Sequence, residues 1–221
     1  MRRLLAGLLL LWAGGAEAAC RQALALGLDV SGSVDAQEYR LQLDGLAAAL
    51  ETPEVVAAFL AMPDAPVRLA VFEWSGQFAQ RGLQDWVTVT DVGVLADVAE
   101  RLRGTARVAQ DPSTALGEAK RYGAALLAPQ AGCWRRVLDL SGDGESNTGP
   151  RPQDVRPGGV TINALVVTGS EPEALVSYFR AYVIEGEQAF VETALGFADF
   201  EAAMVRKLKR ELQVMVLSGR R

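Results

Sequence analysis

The chain has 221 residues, half of them hydrophobic, with 22 Lys+Arg against 27 Asp+Glu and no histidine. Without histidine there is no Ser-His-Asp or Cys-His catalysis and no His-ligated zinc or iron, and two cysteines are too few for a Cys₄ cluster. Any metal must be held by oxygen, which points to Mg²⁺, with Mn²⁺ or Ca²⁺ as alternatives, and a net charge of −5 without a basic patch argues against nucleic acid and anionic membranes.

Residues 1–18 read as a signal peptide. Arg2 and Arg3 give a positive start, Leu4 through Trp12 a short apolar run, and Ala16-Glu17-Ala18 the small-x-small pattern of a cleavage site. The run is too short to span a bilayer, which takes about 20 residues. Glu17, three before Cys20, argues against a lipoprotein, so export by general secretion to the periplasm or beyond the cell is expected. Losing Arg2, Arg3 and Glu17 takes the net charge from −5 to −6. Residues 19–221 suffice for one sizeable core and contain no later membrane-spanning run. Cys20 and Cys133 form an even pair in an exported chain, the setting in which disulfides persist.

In chain order, β-rich runs alternate with helical stretches, which predicts an α/β fold with a mostly parallel sheet of about six strands covered by helices. Ala23–Val30 is a first strand, apolar almost throughout, as a central parallel strand should be. Asp35 with Glu38 forms a capping-box pattern opening a helix to about Glu51, and Val55–Met62 continues as helix. Val67–Trp74 and Leu83–Val89 are the second and third strands, joined by a hairpin-like connection from Gly76 to Gly82. Thr90-Asp91 starts a helix through Leu102, and Pro112–Leu127 is another. Arg136–Leu140 and Val160–Val167 are the fourth and fifth strands. Between them Gly142–Gly159 makes a long surface loop, a length that often carries function. A helix near Glu171–Ala181, a short strand at Ala189–Ala194 and a helix from Asp199 to about Val216 complete the chain. Arg206, Lys207, Lys209 and Arg210 in that last helix read as the solvated face of a helix packed on its own domain.

Three segments fall at the same end of the expected sheet. Asp29-Val30-Ser31-Gly32-Ser33 leaves the first strand, where open α/β sheets bind ligands. Alternate residues of that tight loop can turn one carboxylate and two hydroxyls toward a common centre. Ser113-Thr114-Ala115-Leu116-Gly117 starts the helix before the fourth strand, and Ser141-Gly142-Asp143-Gly144 leaves that strand. Alone, each has an ordinary explanation as loop, helix cap or turn. Together they resemble the metal-ion-dependent adhesion site of von Willebrand factor A domains: Asp-x-Ser-x-Ser, a threonine before a Gly-containing helix, and an aspartate after the fourth strand. The resemblance covers nearly the whole chain after the leader and is nearest to exported bacterial A-domain proteins of uncharacterised function, which share the Ser-Gly-Asp-Gly form and the early cysteine.

The resemblance implies a doubly wound, Rossmann-like fold. It implies a Mg²⁺-type site with Asp29, Ser31, Ser33, Thr114 and Asp143 as ligands. It also implies a protein partner presenting an acidic side chain to the metal, with binding rather than catalysis as the function. The family's sheet order sets the first and fourth strands side by side, which would bring Cys20 to Cys133 at the end opposite the metal. The sequence departs from the commoner Thr-Asp-Gly form at Gly142. Two rival readings remain. Gly142-Asp143-Gly144-Glu145-Ser146-Asn147 is similar to a haloacid-dehalogenase-like phosphatase motif, but Ser31 stands where the general acid would be and no second acidic residue follows Asn147. The third reading is an A-like interaction module without metal.

Overall fold

The structure, a computed structural model, describes residues 19–213 apart from 110, 170 and 171. The expected signal peptide and the last residues of the expected C-terminal helix lie outside the described residues. The apolar runs form six strands: β1 (Cys20–Asp29), β2 (Val67–Trp74), β3 (Gln80–Val89), β4 (Cys133–Gly142), β5 (Thr161–Thr168) and β6 (Val191–Leu195). They make one sheet in the order β3-β2-β1-β4-β5-β6, parallel except for β3. The helices are α1 (Ala36–Glu51), α2 (Pro53–Leu60), α3 (Val92–Gly104), α4 (Leu116–Leu127), α5 (Pro172–Tyr178) and α6 (Phe200–Glu211). This is the expected α/β fold, and its strand order reverses between β1 and β4, where such sheets open a crevice at their carboxyl ends.

Strand alternation explains the layering. Leu24, Leu26 and Leu28 of β1 enter a core shared with α1, α2, α3 and α6, while Ala23 and Ala25 enter the opposite core with α4, α5 and Phe179. Gly27 continues the small-residue side. A Cβ there would stand 2.6 Å from Phe72 and 2.8 Å from Leu140, so these two side chains close over the strand only because it lacks one. Asp29 follows on that same side. The α1 capping box forms as expected: Asp35 Oδ1 accepts from Gln37 N and Glu38 N, and Glu38 Oε2 accepts from Asp35 N.

Cys20 and Cys133 are directly paired across β1 and β4 and form a disulfide. It spans 113 residues, a loop whose closure contributes about 4–5 kcal/mol in the chain-entropy model.

Two expectations need correction. The α4 helix begins at Leu116 rather than Pro112, because Pro112–Ala115 are drawn into tertiary hydrogen bonds described below. Nor are the basic residues of α6 all solvated: Arg206, Lys209 and Arg210 are exposed, but Lys207 is fully buried. Its ammonium lies 2.7 Å from Asp139 Oδ2 on β4 and 3.7 Å from Glu211 Oε2. Glu211 also accepts from Asn163 Nδ2 on β5. Burial, with the charge of Glu211 beside it, holds the Asp139 carboxyl above its usual range despite Lys207. Removing one partner of such a buried set strands the others without compensation. Lys207→Met is therefore expected to cost about 3–5 kcal/mol in denaturant unfolding, while Lys209→Met stays within about 0.5 kcal/mol; equal losses would mean that Lys207 is not buried.

Candidate metal centre

At the carboxyl end of β1 the Asp29 side chain turns back into the protein. Its Oδ1 accepts from the Ser31 backbone N–H at 2.8 Å, closing the loop that carries both serines. Gly32 packs against the segment after α3: its N–H donates to Pro112 O at 2.9 Å, and a Cβ on Gly32 would stand 3.0 Å from that oxygen. Ser31 and Ser33 hydroxyls lie 3.4 Å apart, and Ser33 Oγ donates to Asp143 Oδ1 at 2.7 Å. The structure thus brings Asp29, Ser31, Ser33 and Asp143 into one cluster.

Thr114 is buried two residues after the Pro112 carbonyl that meets Gly32, and it is held through its backbone. Its N–H donates to Asn147 Oδ1 at 2.9 Å, while its carbonyl accepts from Asn147 N at 2.9 Å and from Ser146 Oγ at 3.2 Å. The neighbouring Ala115 N–H donates to Ser75 O at the end of β2. Gly117 completes the seat, since a Cβ on it would lie 2.1 Å from Pro150 O. The threonine segment is therefore clamped to the loops after β1, β2 and β4. Asn147 and Ser146 are positioning residues; the sequence places them only in the long polar loop and at the end of the phosphatase-like string, and gives them no role at the metal site.

The electrostatics are unfavourable as they stand. Asp29 Oδ2 is buried and meets no donor at hydrogen-bonding geometry. Around it stand Trp74, Phe179 and Gly142, where a Cβ would lie 3.2 Å from the Phe179 ring and 3.4 Å from Asp29 Oδ2. That crowding gives a physical reason for glycine at this departure from the commoner motif. Burial and the Asp143 charge push the Asp29 carboxyl up to about 7, and the N–H groups of Ser31 and Asp143 offset only part of this. Burial and Glu38 raise Asp143 as well, against the pull of the Ser33 hydroxyl.

An orphaned carboxylate oxygen beside a second carboxylate and two serine hydroxyls fits a hard cation, which takes oxygen ligands and would neutralise both acids. Among the described residues there is no group of three or more His, Cys, Asp or Glu side chains placed to hold a metal. The candidate site accordingly depends on serine and threonine oxygens.

The sequence model of a family described as "Protein of unknown function (DUF1194)" matches residues 19–216. Comparison with curated proteins found no match. Among solved structures, the chain is similar to proximal thread matrix protein 1 from the mussel byssus in a form with a zinc-occupied MIDAS motif, with 17% identity, TM-score 0.61 and coverage of 89% of this chain and 47% of that one. The pilus adhesin SpaC from Lactobacillus rhamnosus GG matches with 12% identity, TM-score 0.64 and coverage of 89% and 31%. A von Willebrand factor type A protein from Catenulispora acidiphila matches with 15% identity, TM-score 0.58 and coverage of 88% and 42%. The chain spans less than half the length of each. At such identities the likeness establishes the fold, which is that of a von Willebrand factor A domain.

The raised carboxyls set a pH dependence. Asp29 holds a proton in the folded chain at pH values where the unfolded chain has released it. Stability is thus greatest below about pH 4 for this group and falls as pH rises toward 7, by at most about 1.4 kcal/mol per pH unit. Asp139 and Asp143 act in the same direction. In chelator-treated protein the unfolding midpoint should fall between pH 5 and pH 8, and Asp29→Asn should flatten that fall. A midpoint that rises over this range would contradict the assignment.

Proposed function

This chain belongs to the DUF1194 family, and we propose that it is a metal-dependent protein-binding module, exported through a leader at residues 1–18, in which Asp29, Ser31, Ser33, Thr114 and Asp143 hold a Mg²⁺-type ion. The observation that carries this reading is the orphaned, buried Asp29 Oδ2 facing a second carboxylate, Asp143, that is itself bonded to Ser33. Mg²⁺ prefers six hard oxygens and keeps several waters. Five residues, of which two are anionic and three neutral, leave the ion room for another oxygen. When bound it would supply positive charge at the rim of the sheet, able to take a carboxylate from a partner. Mn²⁺ and Ca²⁺ use the same donor types.

Support for protein binding comes from the surroundings of the site. Phe78 is 92% exposed in the turn between β2 and β3, at the carboxyl end of β2. The turn is braced: Ser75 N donates to Ala79 O, Ala79 N to Gly76 O, and Gln80 Nε2 to Gly76 O. A large apolar side chain carried in water on a braced turn needs little backbone ordering on docking, the property of an interface anchor. The cysteine bridge agrees with an oxidising compartment. Among the described residues no helix is long and apolar enough to cross a membrane. The hydroxyls and carboxylates of the site serve as ligands here rather than as an acid–base pair.

Calorimetry tests the reading. The protein should bind Mg²⁺ or Mn²⁺ with a dissociation constant of about a millimolar or tighter, as expected for a solvent-open oxygen site. Asp29→Ala and Asp143→Ala should abolish that binding while the circular dichroism spectrum persists. Equal weak binding by wild type and variants would leave a metal-free module. Phosphate-ester hydrolysis lost in Asp29→Ala would establish the phosphatase instead.

A further inference from the structure

At the end of the sheet opposite the candidate metal centre, the first residues of β4 and β5 border an open cleft of about 440 Å³. One wall is Trp134, Arg135 and Arg136, which follow the disulfide cysteine Cys133; another is the loop Pro157–Gly159. Trp134 is 63% exposed, whereas Trp74 is buried and Trp86 is half-buried. Arg135 and Arg136 are half-buried, and among the described residues neither guanidinium has a carboxylate or hydrogen-bond partner. Most other arginines in the described chain are paired, including Arg40, Arg81, Arg103, Arg151 and Arg206.

The Arg136 guanidinium is seated in a specific place. Gly159 has φ +71°, a conformation that favours glycine, and a Cβ there would stand 2.6 Å from Arg136 Nη2. The backbone therefore leaves room for the planar group to lie against it. Two acids also border the cleft. Glu185 is held by the Lys120 ammonium at 3.3 Å, so its charge is matched, and Glu187 is exposed on the rim. Trp134 and Arg136 stand two apart in β4 and so share one side of the sheet, which gives the cleft an unmatched guanidinium beside an open indole face, while Arg135 between them turns to the other side. Guanidinium donors take oxyanions, through paired bonds where geometry allows. An exposed indole offers a flat apolar face to a ring lying beside it.

We propose that this cleft is a second binding site, independent of the metal, for a ring-borne oxyanion: Arg136 takes the carboxylate or phosphate, and the ring lies on Trp134. A carboxylated sugar and a phosphorylated sugar share this chemistry.

Trp134 fluorescence and calorimetry, in chelator so that the metal centre takes no part, test the site with glucuronate, glucose 6-phosphate, glucose and inorganic phosphate. At least one of the first two should bind about tenfold or more tightly than both glucose and inorganic phosphate, as loss of a charge-assisted bond or of stacking implies. Tighter glucuronate assigns the carboxylate, and tighter glucose 6-phosphate the phosphate. Arg136→Gln and Trp134→Ala should each weaken that ligand by about tenfold with an unchanged unfolding midpoint, while Glu187→Gln should strengthen it. Arg136→Lys keeps the charge but not the planar fork, and should bind more weakly than wild type and more tightly than Arg136→Gln, a second readout should Arg136→Gln alter the fold. The proposal is overturned if neither charged sugar binds better than glucose, if inorganic phosphate binds as well as the charged sugars, or if the folded arginine variants bind like wild type.

Discussion

The parallel pairing of β1 with β4 constrains everything else in this molecule. Its register sets Cys20 against Cys133 at one end and runs through Gly27 and Leu140 toward the other. Beyond that last pair lie Asp29 and the loop carrying Asp143, so the register that aligns the sulfurs also brings the two carboxylates together. Slipping the pair by one residue would turn every β4 side chain to the wrong face. It would send Asp139 into the core of α4 and α5, away from Lys207, and separate the cysteines. The covalent bridge and the buried Asp139–Lys207 contact therefore act on the same strand pair, one at its start and one farther along. A site made of side chains from separate loops needs such a frame, because ligand positions tolerate little drift.

The two buried charge clusters differ in kind. The Asp139, Lys207 and Glu211 group contains its own cation, so its charges are offset within the fold although both Asp139 oxygens and Glu211 Oε2 are buried without a hydrogen-bond donor. Among the described residues no basic group offsets the Asp29 and Asp143 pair, and Asp29 Oδ2 meets no donor. A fold that keeps a repulsive pair at the open end of its sheet stores an unfavourable term that a divalent ion would remove. Ser33, bonded to Asp143, and Asn147, bonded along the Thr114 backbone, fix the surrounding oxygens. Preorganisation of this type is what hard-cation sites require, since flexible ligands would have to be ordered at the moment of binding.

Much of this frame was legible in the sequence. Continuous apolar runs in β1, β2 and β5 mark buried parallel strands, and the Asp35/Glu38 capping box marks the start of α1. Asp29, Ser31, Ser33 and Asp143 were legible because they lie at or just beyond strand ends, where topology dictates position. What the sequence left out depends on long-range contacts. Pro112–Ala115 satisfy helical patterning but are held as a loop by bonds to Gly32, Ser75 and Asn147. Lys207 looked solvated among its basic neighbours, although Met204, Lys207, Leu208 and Glu211 share the buried stripe of α6. Asp139, interrupting the apolar run Val137–Leu140, was the matching signal on the strand. The wider π-type turn at Phe179–Val183, which sets the Phe179 ring against Gly142, has no local signature that we recognise.

The central claim is that these loop ends form one metal centre. Anomalous diffraction from crystals grown with Mn²⁺ tests it most directly. The account predicts one strong peak with oxygens of Asp29, Ser31, Ser33, Thr114 and Asp143 around it, each bound at about 2.0–2.6 Å or through a water. A map with no peak between Asp29 and Asp143, or with its strongest peak at other residues, would contradict it.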